Sequence, residues 1–487
     1  MSDFGVPADE RPVPLWAILL VMVLILTGGG FLARTLLDDG KDAVSYPSNW
    51  DPRVLPYAKI AEKQRGLLFR HPVTVRFLPA EKFKKGVTTD EKELDKEDRK
   101  EIEQFTGMMR ALGLIKGDLD LFDSVNDASG AGTLAYYSFE DKRITIRGEK
   151  ITPAMRSTMV HELTHVLQDQ HFDIGAMQKK LEKSKDDDSD EEGTVLDALI
   201  EGDADRVETS YRESLTAKQR KALDSSAQDQ SEEVDKTYKK IPTIIITMMT
   251  SPYTLGEAMV AAAAADGGNS AVDELFRKTP PNESALLDPL KGLTERGDTV
   301  DVDAPKVADG EKKIDSGGLG ALTWYLMLAE RLPLLDALTA VGGRGGDGYL
   351  SFKRDDNVCV RAEYAGTNAA ATDDMLSALQ RWVAAAPGSP AKVSRDGDQL
   401  TFESCDPGTA ADVGKDSSDQ AINLVLTRNY MGINFVRQGI PKSKARCLAE
   451  KLTHTYSVTK LNDPKFWVAL KQDRERAARI GSTCRDA

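Results

Sequence analysis

The sequence predicts an α+β fold, mostly helical with a small sheet. One transmembrane helix precedes it, and a small α+β, disulfide-bearing part follows it. Three observations predict this arrangement. An uncharged apolar run, Pro12 to Ala33, stands at the front of the chain. Two alternating, β-branched stretches, Val73–Pro79 and Thr133–Arg147, precede a helical segment that contains His161-Glu162-x-x-His165. Near the end, a β-β-α-β-β pattern carries Cys359 and Cys405 on its strands.

The chain has 487 residues, more than one domain's worth of sequence. Its hydrophobic fraction of 40% suffices for a real core. The net charge of -14 and the absence of basic stripes exclude a general nucleic-acid partner.

Residues 1–11 form a short N-terminal tail and residues 12–34 an anchor. About 20 apolar residues span a bilayer, and the run between Arg11 and Arg34 supplies them. Trp16 stands where an interfacial aromatic belongs. A cleaved signal peptide fits less well: the positive leader is poor, the apolar run is long, and Gly28-Gly29-Gly30 is followed by more apolar residues without a clear small-x-small site before Arg34. Flanking charge (Arg11 before; Arg34, Lys41 and Arg53 after) favours an inward C-terminal side. The four cysteines favour the opposite, and long domains translocate largely regardless of such charges. The expectation is a single-pass protein of the cell membrane, partnered by the lipid bilayer through this helix, with its bulk extracytoplasmic.

Residues 35–66 read as a juxtamembrane linker and 67–297 as the core. A strand over Val73–Pro79 is followed by a charged helix from Lys92 to Leu114, ending near Gly113. Gly130-Ala131-Gly132 opens a hairpin, Thr133–Ser138 and Arg143–Arg147. The next helix starts at Pro153 with Thr152 as N-cap. Lys179 to Gly193, rich in Asp and Glu, reads as a solvated loop, since it has no glycine-turned calcium loop. A helix covers Val195–Ser214, and Gln228–Lys240 reads as a polar connector. Thr243–Met249 and Ala258–Ala265 read as buried core helix, because Ser251-Pro252 and Glu257 interrupt any membrane span. Residues 298–316 form an acidic loop, 317–410 an α+β extension and 411–487 a helical segment. The cysteines are expected to pair Cys359–Cys405 and Cys447–Cys484, because each pair then closes a local unit.

Two imidazoles four residues apart on a helix lie on one face and can grip a single metal ion, with Glu162 at its edge. A third protein ligand is needed. Glu201 supplies one: it follows an apolar helical stretch, where a lone carboxylate is costly to bury. Asp205, one turn on, can accept the free ring N–H of a ligand histidine. Gly202 permits close helix–helix approach.

His161-Glu162-x-x-His165 followed by Glu201-x-x-x-Asp205 resembles the gluzincin branch of zinc metallopeptidases. The strand-hairpin-helix order before the motif is similar to the zincin architecture. A narrower likeness rests on His161–Phe172, Glu201-Gly202-Asp203-Ala204, Pro252-Tyr253-x-x-Gly256, Pro281-x-x-Ser284 with Asp288-Pro289, and Gly346-Asp347-x-Tyr349. Together they resemble a little-characterised group of bacterial, membrane-anchored metallopeptidases, over about residues 70 to 385. The resemblance implies a zincin-like metallopeptidase domain with Zn²⁺ on His161, His165 and Glu201, Glu162 as the base, and Asp205 supporting a ligand histidine. It implies an endopeptidase acting on protein or peptide substrates outside the cytoplasmic membrane. Tyr211, Tyr253 and His171 are candidate donors to a developing oxyanion. The alternative is a catalytically inactive zincin-like envelope protein that binds peptide or cell-wall partners.

His171 also stands at the third-histidine position of the metzincin pattern. That pattern needs a glycine at the position of Gln168 to break the helix. On an unbroken helix His171 lies about 120° from the ligand face. Glu201 is therefore expected as the third ligand.

Overall fold

A computed structural model describes residues 45–183, 189–294, 300–386, 390–410, 414–473 and 481–484. The apolar run 12–34 lies outside these residues. Among the described residues no helix is long and apolar enough to cross a membrane.

The chain enters through helix α1, Leu55–Arg65, which stops at Gly66 in the left-handed region (φ 77°). This stretch was expected to be linker. Instead Ala58, Ala61 and Arg65 are buried, and the helix packs on the motif helix. Small alanines let it seat closely, and two aspartates neutralise the buried Arg65.

Strand β1 (Thr74–Leu78) is followed by α2 (Ala80–Val87), α3 (Lys96–Ala111) and α4 (Leu121–Gly132). Asp95 starts α3 with a capping box, and Gly113 follows its end with φ 70°. Helix α4 was not anticipated, since Gly130-Ala131-Gly132 read as the opening of a hairpin. Asp120 caps it, and a Cβ on Gly130 would already stand 3.0 Å from the Lys84 side chain. Close packing on α2 thus outweighs the poor helix propensity of glycine. Strands β2 (Ala135–Ser138) and β3 (Arg143–Arg147) form the expected hairpin, and the sheet order is β1-β3-β2. β1 runs parallel to β3, and β2 lies at the edge.

The motif helix α5 (Pro153–Phe172) begins where expected: the Thr152 hydroxyl accepts from Met155 N–H. Then come α6 (Ile174–Lys183), α7 (Ser189–Glu213), α8 (Ala217–Tyr238) and α9 (Thr243–Arg277). The acidic stretch 179–193 is therefore largely helix where it is described, not loop. Its Glu191 is buried, paired with Arg344, and accepts the backbone N–H of Glu283. Gln228–Tyr238, expected as a connector, belongs to α8. Helix α9 is buried core, as its interrupted apolar pattern implied, and it runs through Pro252.

Two short helices, α10 (Ser284–Leu287) and α11 (Pro289–Gly292), lead to β4 (Glu311–Gly317), α12 (Gly320–Ala329), α13 (Leu334–Val341), β5 (Arg344–Arg354), β6 (Asn357–Gly366), α14 (Ala369–Ala384), β7 (Ala391–Asp396) and β8 (Gln399–Cys405). The second sheet is antiparallel, in the order β4-β5-β6-β8-β7. β4 is the added strand, taken from sequence expected to be acidic loop. Cys359 and Cys405 sit directly opposite in register and are disulfide-bonded, as are Cys447 and Cys484. The chain continues as α15 (Ser418–Arg437), α16 (Lys442–Thr455), α17 (Val458–Leu461) and α18 (Pro464–Gln472). One continuous hydrophobic cluster reaches from Val54 to Ala445, so N-terminal, motif-bearing and C-terminal elements share a core.

The outer face of the second sheet carries an ion cluster. The Arg361 guanidinium holds Glu311 at a pKa of about 2. Burial pushes Glu403 up, but Arg354, Arg361 and Lys392 outweigh it and hold it at about 2. Both values lie below the ordinary 4.5, so the folded state binds fewer protons than the unfolded one. The resulting stability is present above pH 4.5 and lost as pH falls towards 2. Arg361→Leu is expected to move the acid-unfolding midpoint to higher pH in a circular dichroism titration; an unmoved midpoint rejects this role.

Candidate metal centre

Helix α5 is buried on nearly all sides, and its motif residues are sealed from solvent. His161 is 0%, Glu162 2%, His165 4% and, on α7, Glu201 1% exposed. Helical spacing sets the two imidazoles edge to face, with ring centroids 4.7 Å apart. His161 Nε2 lies 3.1 Å from Glu201 Oε2, and His165 Nε2 lies 3.3 Å from the same oxygen. Three potential ligand atoms thus converge on one point.

Helix α7 reaches that point because α9 presses against its back. A Cβ on Gly202 would stand 2.1 Å from the Gly256 carbonyl carbon, and one on Gly256 would stand 1.9 Å from Ala198 O. Only two facing glycines allow this backbone contact.

The outward nitrogens of both imidazoles face polar groups, and that of His165 is hydrogen-bonded. His161 Nδ1 lies 3.2 Å from Asp205 Oδ1 and 3.3 Å from Glu208 Oε2. Asp205 is where the sequence placed it, but Glu208 was missed. Its signal was available: Glu201, Asp205 and Glu208 follow i, i+4, i+7 spacing on one helix face. Ser157 Oγ donates to Glu208 Oε1 at 2.7 Å.

His165 Nδ1 donates to Gln168 Oε1 at 3.0 Å. Gln168 Nε2 in turn donates to Ile200 O (2.8 Å) and Asp203 Oδ2 (3.2 Å). Gln168 therefore ties His165 to helix α7. Both Nε2 atoms face the Glu201 carboxylate, and the His165 ring is fixed from its other side by Gln168. Behind Gln168, Asp203 pairs with the buried Arg65 at 2.6 Å, and Arg65 pairs with Asp273 at 2.6 Å.

The electrostatics follow from burial opposed by these contacts. Burial would raise Glu201, but His165 and His161 hold it down at about 2. Burial drives Glu162 up to about 7 against the pull of both histidines. The backbone N–H of Tyr137, on edge strand β2, opposes that rise weakly. Asp205 is raised to about 6 by burial, opposed by His161.

The hairpin covers the group. Phe139 meets the His165 ring edge-on at 6.0 Å. Tyr137 Oη (2.8 Å) and Lys142 Nζ (2.7 Å) both donate to Asp169, eight residues after His161 on α5.

Of the three candidate donors, Tyr253 lies among the site carboxylates. Its hydroxyl is raised well above the ordinary range by burial and then by Glu201, Asp205 and Glu162. Tyr211 is raised by burial and by Tyr57, with Glu208 a smaller contributor. His171 is not brought to the group: it lies at the far end of α5, its Nε2–H donating to Leu68 O at 2.9 Å.

The chain matches no protein-family model, no curated protein and no solved structure. His161, His165 and Glu201 form a buried group that could hold a metal ion. Glu201 Oε1, buried with no hydrogen-bond partner among the described residues, fits that use.

Gln168→Leu keeps every ligand but removes the acceptor for His165. Chelator competition should show metal affinity lower by about 10- to 100-fold. His171→Ala should leave it unchanged, and a large loss there would return His171 to the ligand set. Gly256→Val should lower stability by about 3 kcal/mol in denaturant titration, through overpacking at the helix crossing.

Proposed function

We propose that the chain is a membrane-anchored zinc endopeptidase of gluzincin type, acting outside the cytoplasmic membrane. The observation that carries this reading is the approach of both imidazole Nε2 atoms to one oxygen of Glu201, at 3.1 and 3.3 Å, beside the raised carboxyl group of Glu162. Two nitrogens and one carboxylate oxygen suit zinc, and leave a coordination position for a reactant. The two disulfides support an oxidising compartment, and residues 12–34 supply the anchor.

When bound, zinc would supply Lewis acidity towards a water molecule and the scissile carbonyl. Glu162, at about 7, is matched to taking that water's proton and passing it to the leaving amine. Tyr253 is the best-placed donor to the developing oxyanion. The outer edge of β2 can carry an extended peptide backbone once the hairpin lifts from Asp169.

The sealing of the four site residues favours a second reading, a catalytically inactive envelope protein that binds peptide or cell-wall partners. Zinc-loaded full-length chain assayed on a peptide library separates the two. The first reading expects cleavage, reduced by about a thousandfold in Glu162→Gln with zinc content retained. Undiminished cleavage by that variant removes Glu162 as the base, and no cleavage by the loaded wild type leaves the second reading.

A further inference from the structure

A cavity of about 410 Å³ opens where α1, α5 and α9 end, away from the metal group. That volume falls within the range of small-molecule sites. Its lining is chemically complete for one class of ligand. Phe172 and Phe276 stack face to face, centroids 4.6 Å apart, giving an aromatic platform. Arg70 lines the cavity as an exposed cation. Arg277 has its guanidinium 6.0 Å over the Phe172 ring and only a loose contact, 3.7 Å, with Glu274. Asp273 supplies the opposite charge: Oδ1 is held by Arg65 at 2.6 Å, and the side chain stays 18% exposed. The His171 imidazole is already engaged by Leu68 O.

We infer that this cavity binds a free α-amino acid with an aromatic or large apolar side chain, and that its occupancy is felt at His165. The carboxylate goes to Arg70 and Arg277, the ammonium to the Asp273 carboxylate, and the side chain to the Phe172/Phe276 platform. The connection is an unbroken series of hydrogen bonds. Asp273 binds Arg65 (2.6 Å), Arg65 binds Asp203 (2.6 Å), Asp203 accepts from Gln168 (3.2 Å), and Gln168 holds His165 Nδ1 (3.0 Å). All but the first member are buried, so a shift of Asp273 reaches Gln168 without screening by water. Such a ligand belongs to the product class of peptide hydrolysis, which would make the cavity a product sensor; that meaning rests on the peptidase reading, whereas the binding does not.

The test is calorimetry of the full chain in detergent with L-phenylalanine, phenylacetate and phenethylamine. L-Phenylalanine should bind saturably, and each compound lacking one charge should bind about tenfold more weakly or worse. Arg70→Ala combined with Arg277→Ala, both exposed positions, should weaken L-phenylalanine by about tenfold or more. Asp273→Asn should erase the preference over phenylacetate. Chelator competition with saturating L-phenylalanine should change zinc affinity by about fivefold or more in the wild type but not in Asp273→Asn. No saturable binding below about 10 mM, or equal affinity for the three compounds, overturns the site. Unchanged zinc affinity overturns the connection. A chain that binds L-phenylalanine yet cleaves no peptide keeps this site and loses the peptidase reading, and cleavage without binding does the reverse.

Discussion

The contact between Gly202 and Gly256 governs the geometry of the metal group. Glu201 reaches the two imidazoles only because the backbones of α7 and α9 touch, with no room for a side chain between them. The same crossing sets Tyr253, one turn before Gly256, among Glu162, Glu201 and Asp205. Two short motifs that look unrelated in sequence, Glu-Gly-Asp-Ala and Pro-Tyr-x-x-Gly, are thus the two halves of one contact.

Around that crossing the protein buries two arginines, each placed between two carboxylates. Arg65 lies between Asp203 and Asp273, and ties α1 to both helices of the crossing. Arg344 lies between Glu191 and Asp347, and ties the start of α7 to the second sheet. A buried charge without its partner is costly, so these networks set how α7 sits along its whole length. The C-terminal elements therefore support the metal group, although none of them supplies a ligand to it.

Much of the site was legible in the sequence. The spacing of His161 and His165, the Thr152 cap, the burial argument for Glu201 and the four-residue step to Asp205 all follow from helix geometry. The two disulfides followed from local closure. What stayed hidden depends on tertiary partners. Helix α1 looked like linker because its buried arginine is stabilised by aspartates about 140 and 200 residues away. Helix α4 was masked by glycines whose value is close packing. The acidic stretch looked solvated because Arg344, far along the chain, is what allows Glu191 to be buried. Gln168 was noticed only as a missing glycine; its bond to His165 needs the second helix to be in place.

The central claim is that Glu201, not His171, completes the ligand set. X-ray absorption spectroscopy of zinc-loaded full-length chain tests it most directly. The account predicts one zinc per chain with two imidazole nitrogens and carboxylate or water oxygen at about 2.0–2.2 Å, and loss of that zinc in Glu201→Ala. A three-imidazole spectrum, or zinc retained unchanged in Glu201→Ala, would contradict it.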